Sequence, residues 1–193
     1  MTDAPGDTNQ APLDLQRFRP YLRLLAGAAI GARWERKFDA SDVVQETLLQ
    51  AHRNQADLRG RADGEVAGWL RRALARNLNR AKRDLHRQRR DVRREVSLDA
   101  AIELSSQRLG AILPAGGSSP SSRVLREERS VLLAAMLESL AAAQREALVL
   151  TYLNGLSIQE AAERMGRTTV AVASLLRRGL ARLRELAGGK QGD

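Results

Sequence analysis

The segment from Ser157 to Leu186, SIQEAAERMGRTTVAVASLLRRGLARLREL, predicts two helices joined by a tight turn. Ser157 and Glu160 have the spacing of a capping box, in which the serine hydroxyl and the glutamate carboxylate satisfy each other's free backbone donors. The first helix therefore begins at Ile158, and Gly166 supplies the left-handed residue that ends it. The pattern is that of a helix-turn-helix motif.

The second helix of this segment combines an apolar stripe with basic residues. Thr168 or Thr169 can cap its start. The stripe consists of Val172, Leu176, Leu180 and Leu183, and the bases that project elsewhere are Arg177, Arg178, Arg182 and Arg184. An ordinary helical hairpin with a solvated basic face has the same pattern, so other segments must decide between the two.

The composition predicts an all-α protein with a polyanionic partner. Hydrophobic residues make up 43% of the chain and aromatic residues only 3%, so the core consists of Leu, Ala and Val, which suits helix packing better than a sheet. The net charge of +9 favours nucleic acid, although a membrane surface or a merely soluble protein also suits it.

Several function classes are excluded by residues that the chain lacks. Without cysteine there is no disulfide, thiolate metal site or cysteine nucleophile. His52 and His86 are too few and too far apart to form a metal cage, so we expect neither a metal nor a cofactor. Residues 1–12 lack the regions of a signal peptide, and no apolar run is long enough to span a bilayer, which predicts a cytoplasmic protein.

The chain divides into two small helical domains, residues 13–96 and 127–188, joined by a flexible linker at 97–126. Residues 110–122, GAILPAGGSSPSS, form the centre of the linker, because this composition cannot bury enough apolar surface to offset its ordering entropy. A short helix before them is weakly indicated. The N-terminal domain has predicted helices from about Leu13, with Pro20 as an awkward interior residue, from Asp39 to Asn54, and from Glu65 to beyond Arg90.

The third of these helices carries a dense positive charge. Residues 71–94 contain eleven bases and two acids, while a continuous apolar face that includes Trp69, Leu70 and Leu74 predicts that the bases lie on the opposite side. Such a stripe can follow a phosphate backbone. Asn77 and Asn79 could read base edges, and Trp69 could stack on an unpaired base, although Trp69 fits the core equally well.

The preceding helix has an acidic face. In DASDVVQETLLQA, residues 39–51, the side chains of Asp42, Gln45, Glu46 and Leu49 fall together, and Val44, Leu48 and Ala51 point into a core. An acidic patch repels DNA, so this face is better suited to dock a protein.

Three motifs in this order resemble the sigma-70 family of transcription initiation factors, and the two-domain organisation resembles its extracytoplasmic-function (ECF) group. DASDVVQETLLQA resembles the helix that binds core polymerase, GWLRRALARNLNRAKRD at 68–84 resembles the promoter-reading helix, and QREALVLTYLNGLSIQEAAERMG at 144–166 resembles the C-terminal helix-turn-helix domain. The resemblance covers residues 13–188. It implies a specificity subunit without catalytic residues, whose partners are core RNA polymerase, promoter DNA and an anti-sigma factor.

The resemblance also implies residue roles. Core polymerase is expected to bind the docking face, consisting of Asp42, Gln45, Glu46 and Leu49. The melted minus-10 element is expected to lie along residues 55–63 and against Trp69, Arg71, Arg72, Arg76, Asn77, Arg80, Lys82 and Arg83. The duplex minus-35 element is expected to contact Thr168, Thr169, Ala171, Ser174, Arg177 and Arg178.

Two positions depart from the family pattern, and three other classes of protein compete with the sigma factor interpretation. Ala173 and Leu175 stand where the family commonly has a lysine and an arginine, which removes two expected DNA contacts. A helix-turn-helix repressor or response-regulator output domain needs no docking helix, and a non-specific nucleic-acid binder needs no capped turn. An enzyme has little support, because Glu103, Glu127 and Glu128 are expected on linker or bundle surfaces.

Overall fold

The computed structural model describes residues 13–30, 39–87, 98–113 and 123–188, and within these ranges every regular element is a helix. The prediction of an all-α fold is confirmed. The buried apolar side chains of these helices form one continuous cluster built mainly from Leu, Ala and Val, as the scarcity of aromatic residues predicted.

Four helices occupy the first two described ranges. They are α1, Arg19–Ile30, preceded by a 3₁₀ turn at Gln16–Phe18; α2, Ala40–Arg53; α3, Gln55–Leu58; and α4, Asp63–Arg87. Pro20 does not break α1, because it lies in the first turn, where a missing N–H costs no helical hydrogen bond. Asp39 caps α2 by accepting a hydrogen bond of 2.8 Å from the backbone N–H of Ser41. The expected continuation of α4 beyond Arg90 lies outside the described residues.

Part of the segment expected to be a linker is a packed helix. α5, Leu98–Ala111, contacts α1, α4 and α6, and the side chains of Ile102 and Leu109 are buried there. The remaining residues of the Gly/Pro/Ser-rich stretch, 114–122, lie outside the described ranges. α6, Arg123–Glu138, then packs against α4, α1 and α5.

The C-terminal helices form the predicted helix-turn-helix. α7, Ala142–Leu148, continues through a π turn at Val149–Leu153, and is followed by α8, Ile158–Met165, and α9, Thr169–Gly188. α9 packs on α7 and α8 through its stripe, in which Val172, Leu176 and Leu183 are buried and Leu180 is half-buried.

Two large apolar residues of the C-terminal half, Leu132 and Tyr152, lie outside the core. Leu132 is exposed because its neighbour Leu133 occupies the core-facing position of α6. Tyr152 is exposed because the π turn changes the angular phase of the residues that follow Leu148.

A buried polar cluster joins four helices: Tyr21 of α1, Arg71 of α4, Ser106 of α5 and Glu127 of α6. Glu127 accepts hydrogen bonds from the Tyr21 hydroxyl at 2.7 Å and from the Ser106 hydroxyl at 3.2 Å, and its carboxylate lies 3.2 Å from Nη1 of Arg71. Burial first, and then the negative charge of Glu127, raise the pKa of Tyr21 well above its ordinary value. The expectation that Glu127 lies on a surface was wrong, because a cation from another helix makes its burial tolerable.

α4 and α6 also meet at one glycine. A Cβ atom on Gly64 would overlap the backbone carbonyl of Val124, so only glycine permits this approach. The N-terminal half of α4 is therefore held against α6, and its more C-terminal exposed residues form a separate face.

Candidate nucleic-acid interface and docking face

The docking face of α2 has the arrangement that its sequence predicts. Asp42, Gln45, Glu46 and Leu49 are all exposed, whereas Val44, Leu48 and Ala51 on the opposite side are buried. Leu49 leaves 41% of its surface exposed on the same side of the helix as the two acids. Gln45 is partly engaged, since its Oε1 accepts a hydrogen bond of 2.8 Å from Nη2 of Arg19. The result is an acidic surface with an exposed apolar residue at its C-terminal end, a combination suited to a protein partner.

Four of the expected minus-10 contacts form a basic face on α4. Arg72, Arg76, Arg80 and Arg83 follow each other at spacings of four, four and three residues, and all are exposed. Trp69 lies one turn before Arg72 and is half-buried against the core. It therefore lies at the border between the core and the basic face. Lys82 is also half-buried.

Arg71 does not lie on the basic face. Its side chain is only 4% exposed and forms ion pairs with Glu103 and Glu127 within the buried polar cluster. The sequence analysis grouped Arg71 with Arg72 because both lie in the same basic segment. A helix turns by about 100° per residue, however, so two consecutive side chains point to different sides of it. Its assignment to DNA binding is therefore corrected.

The two asparagines of α4 are also engaged by other helices. The Asn77 amide donates to Thr47 at 3.1 Å and exchanges hydrogen bonds of 3.2 and 3.3 Å with the Gln50 amide, both on α2. Asn79 donates to Asp99 at 2.8 Å. In this arrangement the Asn77 side chain links α4 to α2, and its amide is not presented to a base edge.

The turn between α8 and α9 is fixed by local bonds. Both halves of the Ser157–Glu160 capping box are present, and Gly166 adopts the left-handed conformation with φ of 61°. The hydrogen bond from the Ser157 backbone, followed by that from its hydroxyl, lowers the pKa of Glu160. Thr168, and not Thr169, caps α9, because its hydroxyl accepts from the Ala171 backbone N–H at 3.2 Å. The sequence predicted the capping box and the left-handed Gly166, and it left the cap of α9 open between Thr168 and Thr169.

The expected minus-35 residues lie at the start of α9 and along its outer side. Thr168, Thr169, Arg177 and Arg178 are exposed, while Ala171 and Ser174 are half-buried. Of the two departures from the family pattern, Ala173 is exposed but Leu175 is buried. Leu175 packs in the core of the helix-turn-helix, so a charged residue at this position would face apolar side chains in this arrangement.

Residues 130–183 match the family model for sigma-70, region 4. The match includes the second half of α6, all of α7 and α8, and most of α9, and it supports a sigma-70 family sigma factor. Comparison of the chain with curated proteins gives no match. The family match thus concerns the C-terminal helices only. The roles assigned to the docking face of α2 and the basic face of α4 are supported by the exposure and charge of their residues, and not by this match.

Within the region 4 match, the structure adds two exposed residues that the sequence interpretation missed. Arg167 precedes α9 and Val170 is its second residue. The position of Val170 two residues before the buried Val172 would have indicated an outward direction, because two residues along a helix correspond to about 200°.

Two other kinds of feature are absent from the described residues. None of their helices has the length and apolarity needed to cross a membrane. No group of three or more His, Cys, Asp or Glu side chains in these ranges is arranged to hold a metal ion.

Proposed function

We propose that this chain is a sigma factor of the ECF type, which binds core RNA polymerase and directs it to promoters with particular minus-10 and minus-35 elements. The observation that carries the proposal is the region 4 match over a capped helix-turn-helix with exposed arginines. In this role the chain supplies specificity, and the polymerase supplies the catalysis.

The C-terminal helices would bind the duplex minus-35 element. The N-terminus of α9 carries the exposed Thr169, and Arg177 and Arg178 lie two turns further on. A recognition helix places its first residues at base edges in the major groove, and arginines further along can contact phosphates. The proposed contacts with the minus-35 element are those expected from the sequence: Thr168, Thr169, Ala171, Ser174, Arg177 and Arg178.

The basic face of α4 would hold the melted minus-10 strand. Its four arginines provide a line of positive charge about one turn apart, which suits a single strand with regularly spaced phosphates. Half-buried Trp69 at the end of this line can offer a ring for base stacking, and the half-buried Lys82 remains a proposed contact. Arg71 is left out because of its burial.

The docking face of α2 would bind the polymerase. Asp42, Glu46 and exposed Leu49 lie together on a chain whose net charge is +9, so this acidic patch is locally opposite to the rest of the molecule. A repressor that acts on duplex DNA alone has no use for such a face, and this difference favours the sigma factor. We further propose that residues 97–126, which include the packed α5, connect the N-terminal and C-terminal domains, that the chain lies in the cytoplasm with the polymerase, and that an anti-sigma protein regulates it.

Charge reversal of the docking face tests the proposal. We expect the double change Gln45→Lys and Glu46→Lys to abolish co-elution of the chain with bacterial core RNA polymerase in gel filtration, because two negative or neutral contacts become repulsive cations. The wild-type chain is expected to co-elute.

The double change Gln159→Lys and Glu163→Lys is a matched control. These residues have the same types, are also exposed, and lie on α8 with their side chains 3.5 Å apart. The control variant should still co-elute with the core enzyme. Equal co-elution of all three proteins, or of none, would contradict the docking assignment.

A further inference from the structure

Val170 is a conspicuously exposed apolar residue. Its side chain leaves 78% of its surface exposed, more than any other large hydrophobic residue in the described ranges. Helix propensity does not explain the residue, because a β-branched side chain is a poor helix former. Core packing does not explain it either, since the residue lies on the side of α9 away from the buried Val172 and Leu176.

Val170 is part of one line of side chains along α9. Ser174 and Arg177 follow it at spacings of four and three residues, so the three lie on the same face. With a rise of about 1.5 Å per residue, Val170 and Arg177 are separated by about 10 Å along the helix axis. The line therefore begins with an apolar group and continues to a cation two turns away.

The surroundings of Val170 are positively charged. Its exposed neighbours along the chain include Arg167, Arg177 and Arg178. The side chains closest to Val170 in sequence, Thr169 and Ala171, are small. One valine among cations offers too little apolar area for a protein or lipid partner, whereas it matches a polyanion that presents isolated apolar groups.

Duplex DNA has this chemistry. In the major groove, the C5-methyl of thymine is the only apolar group that a standard base presents. Valine has no hydrogen-bonding atom on its side chain, so it can distinguish bases there only by such a contact. Its branched Cβ restricts χ1 in a helix, so the two methyl groups are held in place before binding.

We infer that Val170 selects a thymine in the duplex element by contact with its C5-methyl group. The inference rests on the proposed function, since it requires α9 to enter the major groove. It adds a residue to the proposed contacts and gives the chemical class of the base that the start of α9 reads.

Replacement of thymine by uracil tests the inference, because it removes only the methyl group. Duplexes bound by the full chain with core polymerase are first selected from a random pool, and each thymine of the selected site is then replaced in turn. We expect one thymine whose replacement lowers the affinity of the wild-type chain about fourfold, the effect of one buried methyl group. In Val170→Ser the same replacement should change affinity by less than about 1.5-fold.

Leu132→Ser is the control, because Leu132 is another exposed apolar residue but lies on α6. This variant should keep the fourfold uracil effect. A selected site in which every thymine tolerates uracil contradicts the inference, and so does a uracil effect that persists in Val170→Ser. Failure to select any duplex contradicts the proposed function itself.

Discussion

Two consecutive arginines show how strongly the environment of a residue determines its role. Arg71 is buried in ion pairs with Glu103 and Glu127, whereas Arg72 is exposed at the start of the basic face. The first stabilises the packing of α4 on α5 and α6. The second is free to contact an external anion.

We expect Arg71→Ala to lower the free energy of unfolding by about 3 kcal/mol or more, because it leaves the buried Glu127 carboxylate without its cation. Arg72→Ala should change it by less than about 0.5 kcal/mol, as exposed substitutions usually do. Urea denaturation followed by circular dichroism measures both.

Glu127→Gln in the Arg71→Ala background provides the internal check. It removes the uncompensated charge, so part of the lost stability should return. Equal losses for Arg71→Ala and Arg72→Ala would show that Arg71 is not buried in solution.

At the scale of helices, the contact between α4 and α6 depends on Gly64. The backbone of α6 at Val124 occupies the space that a Cβ would need. The buried polar cluster lies further along the same pair of helices, so close approach and ion pairing support each other.

Gly64→Ala should therefore destabilise the protein by about 1–3 kcal/mol, because the two helices must move apart. Gly68→Ala is the matched control on the same helix. Its added Cβ would meet only Nη1 of Arg72 at 3.7 Å, and alanine is the better helix former, so stability should be unchanged or up to about 1 kcal/mol higher. Thermal denaturation compares the two variants, and a smaller loss for Gly64→Ala than for Gly68→Ala would contradict the packing described.

The elements differ in how far the sequence predicts them. The turn between α8 and α9 follows from Ser157, Glu160, Gly166 and Thr168, because caps depend on residues within a few positions. The exposed face of α2 is predicted by the helical spacing of its apolar and polar residues.

The buried polar cluster could not be predicted in this way. Arg71 and Glu127 are paired through the packing of distant helices, and no local pattern distinguishes a buried arginine from an exposed one beside it. α5 was only weakly indicated for a related reason, since Ser105 and Ser106 occupy buried positions that an apolar stripe would fill.

For the whole molecule, charge is divided among three surfaces. The docking face is acidic, whereas the basic face of α4 and the outer side of α9 carry exposed arginines. Asn77 connects the first two through its hydrogen bonds to Thr47 and Gln50 on α2. A protein that held one polymerase and two parts of one promoter would need this separation, because like charge on all three surfaces would favour a single type of partner.

Transcription in vitro tests this division of roles most directly. Core RNA polymerase is supplied with genomic DNA of the organism that encodes the chain, and the 5′ ends of the transcripts are mapped with the wild-type chain, with the Gln45→Lys and Glu46→Lys variant, and with no addition. We predict a set of defined 5′ ends that appears only with the wild-type chain and shares upstream elements at two fixed distances. Identical 5′ ends in all three reactions would contradict the proposal that this chain directs the polymerase to promoters.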